Sequence, residues 1–365
     1  MISSNSIIPT IQHGGNLAGA IKQYKIPKEN WIDLSTGISP WPYSFQTLPE
    51  LVWHELPQPH DELLNSAATY YKVKQHCITA TSGSQIAIRL IPHFFKPSCV
   101  AIPSLGYQEH ATSWEMANHK IIHYQDVAEL FELISKKRVE HVVIINPNNP
   151  SGEKFNSEIL IKIISQVSGV CVVDEAFIDY YDDNEDSAND CNDLDANESS
   201  SIHSATKLLN QHNYENLIIL RSVGKFFGLA GLRLGFVIGL HPCLQAFNSL
   251  LQPWSISHAS QYIGIQALND KQWQKQQRAR IKEQQLHFQV TLNCLFANNL
   301  EDYSVVEAGL FNTVFSSNRT LLELHKQLAK QGVWTRLSNE KNQASWLRFG
   351  LPENIIEVGQ RFQRL

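Results

Sequence analysis

Five short apolar runs recur through the middle of the chain. They are Val100-Ala-Ile102, His141-Val-Val-Ile-Ile145, Val170-Cys-Val-Val173, Leu217-Ile-Ile-Leu220 and Gly235-Phe-Val-Ile238. Runs this short and this uniformly apolar read as strands buried on both faces. Between them lie amphipathic stretches such as Gln108 to Ala117 and Ser157 to Gln166. A chain that alternates in this way is confined to an α/β fold with a mainly parallel sheet. In such sheets ligands bind beyond the carboxyl ends of the strands. The polar motifs fall there: Asn146-Pro-Asn-Asn-Pro-Ser-Gly152 follows one run and Asp174-Glu175 ends another.

After about residue 245 the pattern changes. Asp270 to Ala297 is a long helical stretch rich in Gln, Lys and Arg, followed by short strands, a helix near Thr320 to Gly332, and Ala344-Ser-Trp-Leu-Arg-Phe349. This reads as a second, smaller α+β domain. With 365 residues the chain has room for both. Asp182 to Ser204 is rich in Asp, Asn and Ser and holds few large apolar side chains. Such a stretch buries too little surface to offset its ordering entropy, so it reads as a flexible acidic insertion. Its acidic spacing does not match a calcium-binding loop.

Bulk properties exclude several classes. A net charge of −5 gives no nucleic-acid surface. Fifteen histidines are scattered, with no pair at zinc-site spacing, so no metal is expected. Cys77, Cys99, Cys171, Cys191, Cys243 and Cys294 are widely separated and read as reduced thiols. The first residues lack the charged start and apolar core of a signal peptide, and no run reaches membrane-spanning length. The expectation is a cytoplasmic protein.

The chemistry concentrates around Lys225, in Ser222-Val-Gly-Lys225-Phe-Phe-Gly-Leu-Ala-Gly-Leu-Arg233. This lysine follows an apolar strand, has glycines for neighbours, and precedes Arg233 by eight residues. A lysine that forms a Schiff base with an aldehyde cofactor, beside a phosphate-binding arginine, needs such an arrangement. Ser82-Gly83-Ser84-Gln85 leads into the helical pattern Ile86 to Leu90. Backbone N–H groups at such a helix start can cradle a phosphate, although alone the turn is an ordinary helix cap. Asp174 follows an apolar strand, where a buried carboxylate needs a partner.

Four motifs stand in order: Thr81-Ser-Gly-Ser-Gln85, Asn146 to Gly152, Asp174-Glu-Ala-Phe177 and Ser222 to Arg233. Together they resemble the fold-type I pyridoxal-phosphate enzymes of the aspartate aminotransferase superfamily. The resemblance covers nearly the whole chain outside the acidic insertion. It implies a large domain with a mainly parallel seven-stranded sheet over residues 41–245. It also implies an N-terminal arm over the active site at 1–40 and a small domain at 246–365. It makes pyridoxal 5'-phosphate the cofactor and Lys225 its covalent anchor and proton shuttle. Ser82, Gly83, Ser84, Gln85, Ser222 and Arg233 would hold the cofactor phosphate. Asp174 would pair with the pyridine nitrogen, Asn149 would donate to the phenolic oxygen, and Tyr107 would stack on the ring. Arg348, in Leu347-Arg-Phe-Gly-Leu-Pro352, would grip the substrate carboxylate. The resemblance also implies a homodimer.

Two departures stand out. Phe177 replaces a tyrosine that also contacts the cofactor oxygen in many relatives. In Glu55-Leu56-Pro57, Leu56 replaces a tyrosine that reaches the neighbouring subunit's cofactor phosphate.

His13-Gly-Gly-Asn16 and Asp33-Leu-Ser-Thr-Gly-Ile-Ser-Pro40 narrow the resemblance. They are similar to the opening of the L-threonine-O-3-phosphate decarboxylases of cobalamin biosynthesis. That group implies a phosphorylated amino-acid substrate, with His13, Thr36, Gly37 and Arg336 at its phosphate. His13 as a helix cap and Arg336 as a surface charge remain open. The competing activity is that of histidinol-phosphate aminotransferase. A non-catalytic binding module is the reading from a different class, disfavoured by the presence of both Lys225 and Arg348.

Overall fold

The structure is a computed structural model, and it describes residues 14–181, 204–338 and 346–365. His13 and all but the last residue of the acidic stretch lie outside the described residues.

Thirteen strands are described: β1 (Ile32–Asp33), β2 (Ile78–Thr81), β3 (Cys99–Pro103), β4 (Lys120–Tyr124), β5 (His141–Ile145), β6 (Cys171–Asp174), β7 (Leu217–Ser222), β8 (Gly235–Gly239), β9 (Ser304–Glu307), β10 (Phe311–Phe315), β11 (Val333–Trp334), β12 (Arg336–Leu337) and β13 (Trp346–Gly350). Seven of them form one sheet in the order β2-β8-β7-β6-β5-β3-β4. All five apolar runs of the sequence are central to it. Only β8 is antiparallel to its neighbours β2 and β7. The other six strands therefore share one direction, and their carboxyl ends lie along one edge. The reversal of β8 brings its start to that same edge, with Gly235 paired to Thr81 and Ser222.

Local sequence explains the helices that cover the sheet. Asn156 accepts a hydrogen bond from Ile159 N at 2.9 Å and so caps helix Ser157–Gln166. That helix buries Leu160, Ile163 and Ile164, spaced three and four residues apart. Truncating any of them to alanine would cost about 2–5 kcal/mol.

A long helix, Lys271–Asn299, is capped by Asp270 and presents Gln274, Gln277, Ile281, Gln285, Phe288 and Leu292 inward. Its glutamines are hydrogen-bonded rather than buried alone. Gln277 Nε2 donates to Ser39 Oγ (2.6 Å) and to the carbonyls of Trp41 and Phe226 (3.1 Å each). Gln285 bonds Glu307 and Asn312 on the second sheet. One helix thus ties the lysine segment to the antiparallel sheet β12-β13-β10-β9.

Residues 32 to 39 join the two regions. β1 pairs with β11, Gly350 N donates to the Leu34 carbonyl at 2.6 Å, and Ser39 N donates to the Lys225 carbonyl at 3.0 Å.

Behind the ends of β6 and β7 lies a buried ionic cluster. The Arg221 guanidinium donates to Glu175 Oε2 (3.0 Å), Ser204 Oγ (2.9 Å) and Asp179 Oδ1 (2.5 Å). Its plane lies over the Tyr71 ring at 4.5 Å. Charges with no access to water persist only when paired in this way.

Candidate active site

A cavity of about 300 Å³ opens where the sheet's carboxyl edge meets the second sheet. Lys225 lies on its wall, half-buried, with no hydrogen-bond or ion-pair partner for its amine among the described residues. Burial lowers its pKa most, the cations Arg348 and Arg336 lower it further, and Asp174 opposes them; the result is about 8. The amine is 5.3 Å from the centroid of the Phe177 ring.

Asp174, at the end of β6, faces the cavity. Its Oδ2 is 2.9 Å from His110 Nε2, and its Oδ1 accepts from Ala176 N at 3.1 Å. His110, just inside helix Glu109–Met116, is itself buried. The carboxylate therefore has a protein partner that the sequence reading did not supply.

Gly83 and Arg233 meet at the other end of the cavity. Gly83 has φ +81°, and a side chain there would place Cβ 2.7 Å from Arg233 Nη2. The contact follows from topology, because Gly83 comes after β2 and Arg233 comes before the reversed β8. Arg233 adopts a left-handed φ of 53° and donates to the Ala230 carbonyl at 3.0 Å. Ser84, Gln85 and Ser222 line the same end. Ser82 does not; its Oγ turns away and donates to the Ser255 carbonyl at 2.5 Å.

The second sheet supplies Arg348 and Arg336. They are directly opposite one another on antiparallel strands β13 and β12, and both face the cavity. Like charges so placed repel. Arg348 donates to Asn149 Oδ1 and to the Ser35 carbonyl (2.7 Å), while its buried Nε has no acceptor among the described residues. Neither arginine has a carboxylate within ion-pair distance among those residues. The pKa of each is lowered, first by burial.

Thr36, Gly37 and Tyr107 complete the lining, with Phe177 as an apolar wall packed edge-on against Phe311. A side chain at Gly37 would approach Phe177 to 2.9 Å. Every predicted residue except Ser82 and the undescribed His13 thus lines one cavity. Sequence reasoning missed His110 and Glu109, and also Gly14, Ile38, Ile88 and Ile145, which contribute to the walls. The available signal for the first two was their polarity beside Tyr107, at the start of an amphipathic helix. Leu56 is on the surface, 58% exposed.

The family model for aminotransferase class I and II matches residues 53–358. Threonine-phosphate decarboxylase of Pseudomonas aeruginosa is 33% identical, over 94% of this chain and 93% of its own length. Histidinol-phosphate aminotransferase of Thermoanaerobacter pseudethanolicus is 30% identical over 57% of this chain and 56% of its own length. Among solved structures, histidinol-phosphate aminotransferase from Sinorhizobium meliloti in complex with pyridoxal-5'-phosphate superposes with a TM-score of 0.77. It is 14% identical, and the match covers 100% of this chain and 99% of that one.

The chain belongs to the aminotransferase class I and II family and has its type I fold. Pyridoxal phosphate is the cofactor of that family, and the cavity fits it. Gly83 leaves open a cradle that a side chain would fill, beside the Arg233 guanidinium. The Lys225 amine is unpartnered among the described residues, and Asp174 faces it across the same cavity.

Proposed function

We propose that the protein is a threonine-phosphate decarboxylase, converting L-threonine O-3-phosphate to (R)-1-amino-2-propanol O-2-phosphate for the corrinoid nucleotide loop. The observation that carries this reading is the opposed pair Arg336 and Arg348, two cations that face one cavity and have no carboxylate within ion-pair distance among the described residues. A substrate with a phosphate at one end and a carboxylate at the other would relieve their repulsion. The full-length similarity to a threonine-phosphate decarboxylase supports it as well.

Bound pyridoxal phosphate supplies an electron sink that weakens whichever Cα bond stands perpendicular to its ring. The protein's own groups select that bond. Arg348, held by Asn149 and the Ser35 carbonyl, offers a planar fork to the carboxylate. Arg336, with Thr36, Gly37 and His13, would take the substrate phosphate. Two grips on one substrate would fix its orientation at Cα, and a decarboxylase needs the carboxylate to be the group so aligned. Asp174, held by His110, would pair with the pyridine nitrogen of the bound cofactor. Lys225, with its pKa near 8, holds a proton at neutral pH and can release it to Cα.

Incubation of the purified protein with L-threonine phosphate and pyridoxal phosphate should release carbon dioxide and aminopropanol phosphate without a keto-acid acceptor. Turnover that instead requires glutamate and imidazole acetol phosphate would overturn the reading in favour of a histidinol-phosphate aminotransferase. That alternative has its own support in the partial similarity to such enzymes. A protein that develops no visible absorbance with pyridoxal phosphate would be a non-catalytic module.

The same reading includes a cytoplasmic homodimer. Leu51, Trp53, Leu56 and Trp254 are each more than half exposed, and a second copy would cover them. Light scattering that returns the monomer mass of 41.4 kDa would refute the dimer.

A further inference from the structure

Tyr107 is one end of a line of polar groups that leads out of the cavity to the surface. Its hydroxyl donates to Gln85 Oε1 at 2.9 Å. Gln85 Nε2 donates to Glu109 Oε2 at 2.9 Å. The same carboxylate oxygen receives the Arg89 guanidinium, whose side chain reaches solvent. Glu109 itself is only 3% exposed.

The line has one possible polarity. An ionised carboxylate only accepts hydrogen bonds. Gln85 must therefore turn its NH₂ group toward Glu109, and its carbonyl oxygen then faces Tyr107. A carbonyl oxygen only accepts, so the Tyr107 hydroxyl must donate to it. The proton of Tyr107 is committed outward, and its oxygen is presented to the cavity as an acceptor. Arg336 is the cation nearest in effect, since it and Tyr107 each perturb the other. Without the carboxylate, the Gln85 amide could reverse, because its terminal torsion is broad and nearly two-fold. The Tyr107 hydroxyl would then meet NH₂ instead of C=O.

We infer that Glu109 is a positioning residue: acting through Gln85, it fixes the direction of the Tyr107 hydroxyl and so holds the ring in one place against the cofactor. The inference rests on Tyr107 contacting the cofactor, and it goes beyond the choice between decarboxylation and transamination. The segment 107–110 then serves the cofactor three times: Tyr107 by contact, Glu109 through Gln85, and His110 through Asp174.

A double-mutant cycle on cofactor affinity tests it. Apoprotein of the wild type, Glu109→Gln, Tyr107→Phe and the double variant is titrated with pyridoxal phosphate, with protein fluorescence and visible absorbance as readouts. Glu109→Gln should raise Kd about 5-fold, the size of one lost hydrogen bond. In the Tyr107→Phe background it should add less than about 2-fold, because the group it acts through is gone. An equal fold-change in both backgrounds would overturn the inference, since a general structural role is additive. If Glu109→Gln does not fold, Gln85→Leu replaces it in the same cycle. Gln85→Leu breaks the line while leaving Glu109 paired with Arg89, and the same two outcomes decide. Tyr107→Ala is measured alongside: an unchanged Kd there would refute the cofactor contact itself, a failure distinct from loss of coupling.

Discussion

Replacing Arg348 with methionine should slow the uptake of pyridoxal phosphate by apoprotein at neutral pH. The neutral form of the Lys225 amine is the one that reacts with an aldehyde. In the free protein its pKa is about 8, against an ordinary value of 10.5. At pH 7 about 9% of the amine is then neutral, whereas at the ordinary value only about 0.03% would be. The whole depression is thus worth roughly 300-fold in reactive amine. Burial is its largest cause and persists in the variant. Arg348 is the next cause, ahead of Arg336, and is lost. The rate at pH 7 should therefore fall by several-fold to about tenfold, and the midpoint of the rate–pH curve should move upward. Stopped-flow mixing of apoprotein with the cofactor between pH 6 and 10, read by visible absorbance, gives the midpoint directly. A midpoint unchanged from wild type, in a variant that still melts cooperatively, would refute the claim that Arg348 sets the reactivity of Lys225.

Gly83→Ala should weaken cofactor binding about tenfold or more and lower stability by about 1–3 kcal/mol, because its φ of +81° is strained for alanine and its Cβ would displace Arg233. Cofactor titration and urea unfolding measure the two effects, and a wild-type Kd would contradict the cradle. His110→Phe takes a hydrogen-bond partner from buried Asp174. The expected cost is about 1–3 kcal/mol, seen as a Kd for pyridoxal phosphate at least about fivefold higher; an unchanged Kd would show that His110 does not support the carboxylate. Burial lowers the pKa of His141 and His325 to about 4 each. Below an unfolded value near 6.5 the unfolded chain binds protons that the folded chain resists. These two groups should therefore remove about 1.4 kcal/mol each per pH unit as pH falls from about 6.5 to 4. Urea midpoints should drop less steeply in His141→Gln over that range, and an identical slope would remove His141 from the account.

The frame of the fold was legible because it depends on local pattern. The runs at Val100, His141, Val170, Leu217 and Gly235 became the strands at the middle of the sheet, and Ser157 to Gln166 became a helix with those bounds. β2 and β4 were not singled out. Ile78-Thr-Ala-Thr81 is short and half polar, although buried throughout. Lys120–Tyr124 forms the sheet's edge and is only partly covered, so its apolar signal is diluted. Cavity residues on the strand ends were legible for the same local reason, since a polar group after an apolar run has to face a ligand or a partner. Partners distant in sequence were not. His110 meets Asp174 across 64 positions, and nothing local marks the pair. The outward turn of Ser82 depends on Ser255, which is equally remote. Arg221 and Glu175 could have been flagged, because each directly extends an apolar strand where an unpaired charge would be costly.

The Arg221 guanidinium also has a topological consequence. It holds Asp179 on one side and Ser204 on the other, so two positions 25 residues apart in sequence are pinned to one side chain. Glu175 and Arg221 stand next in sequence to Asp174 and Ser222, so this one ion pair braces two residues of the cavity wall from behind.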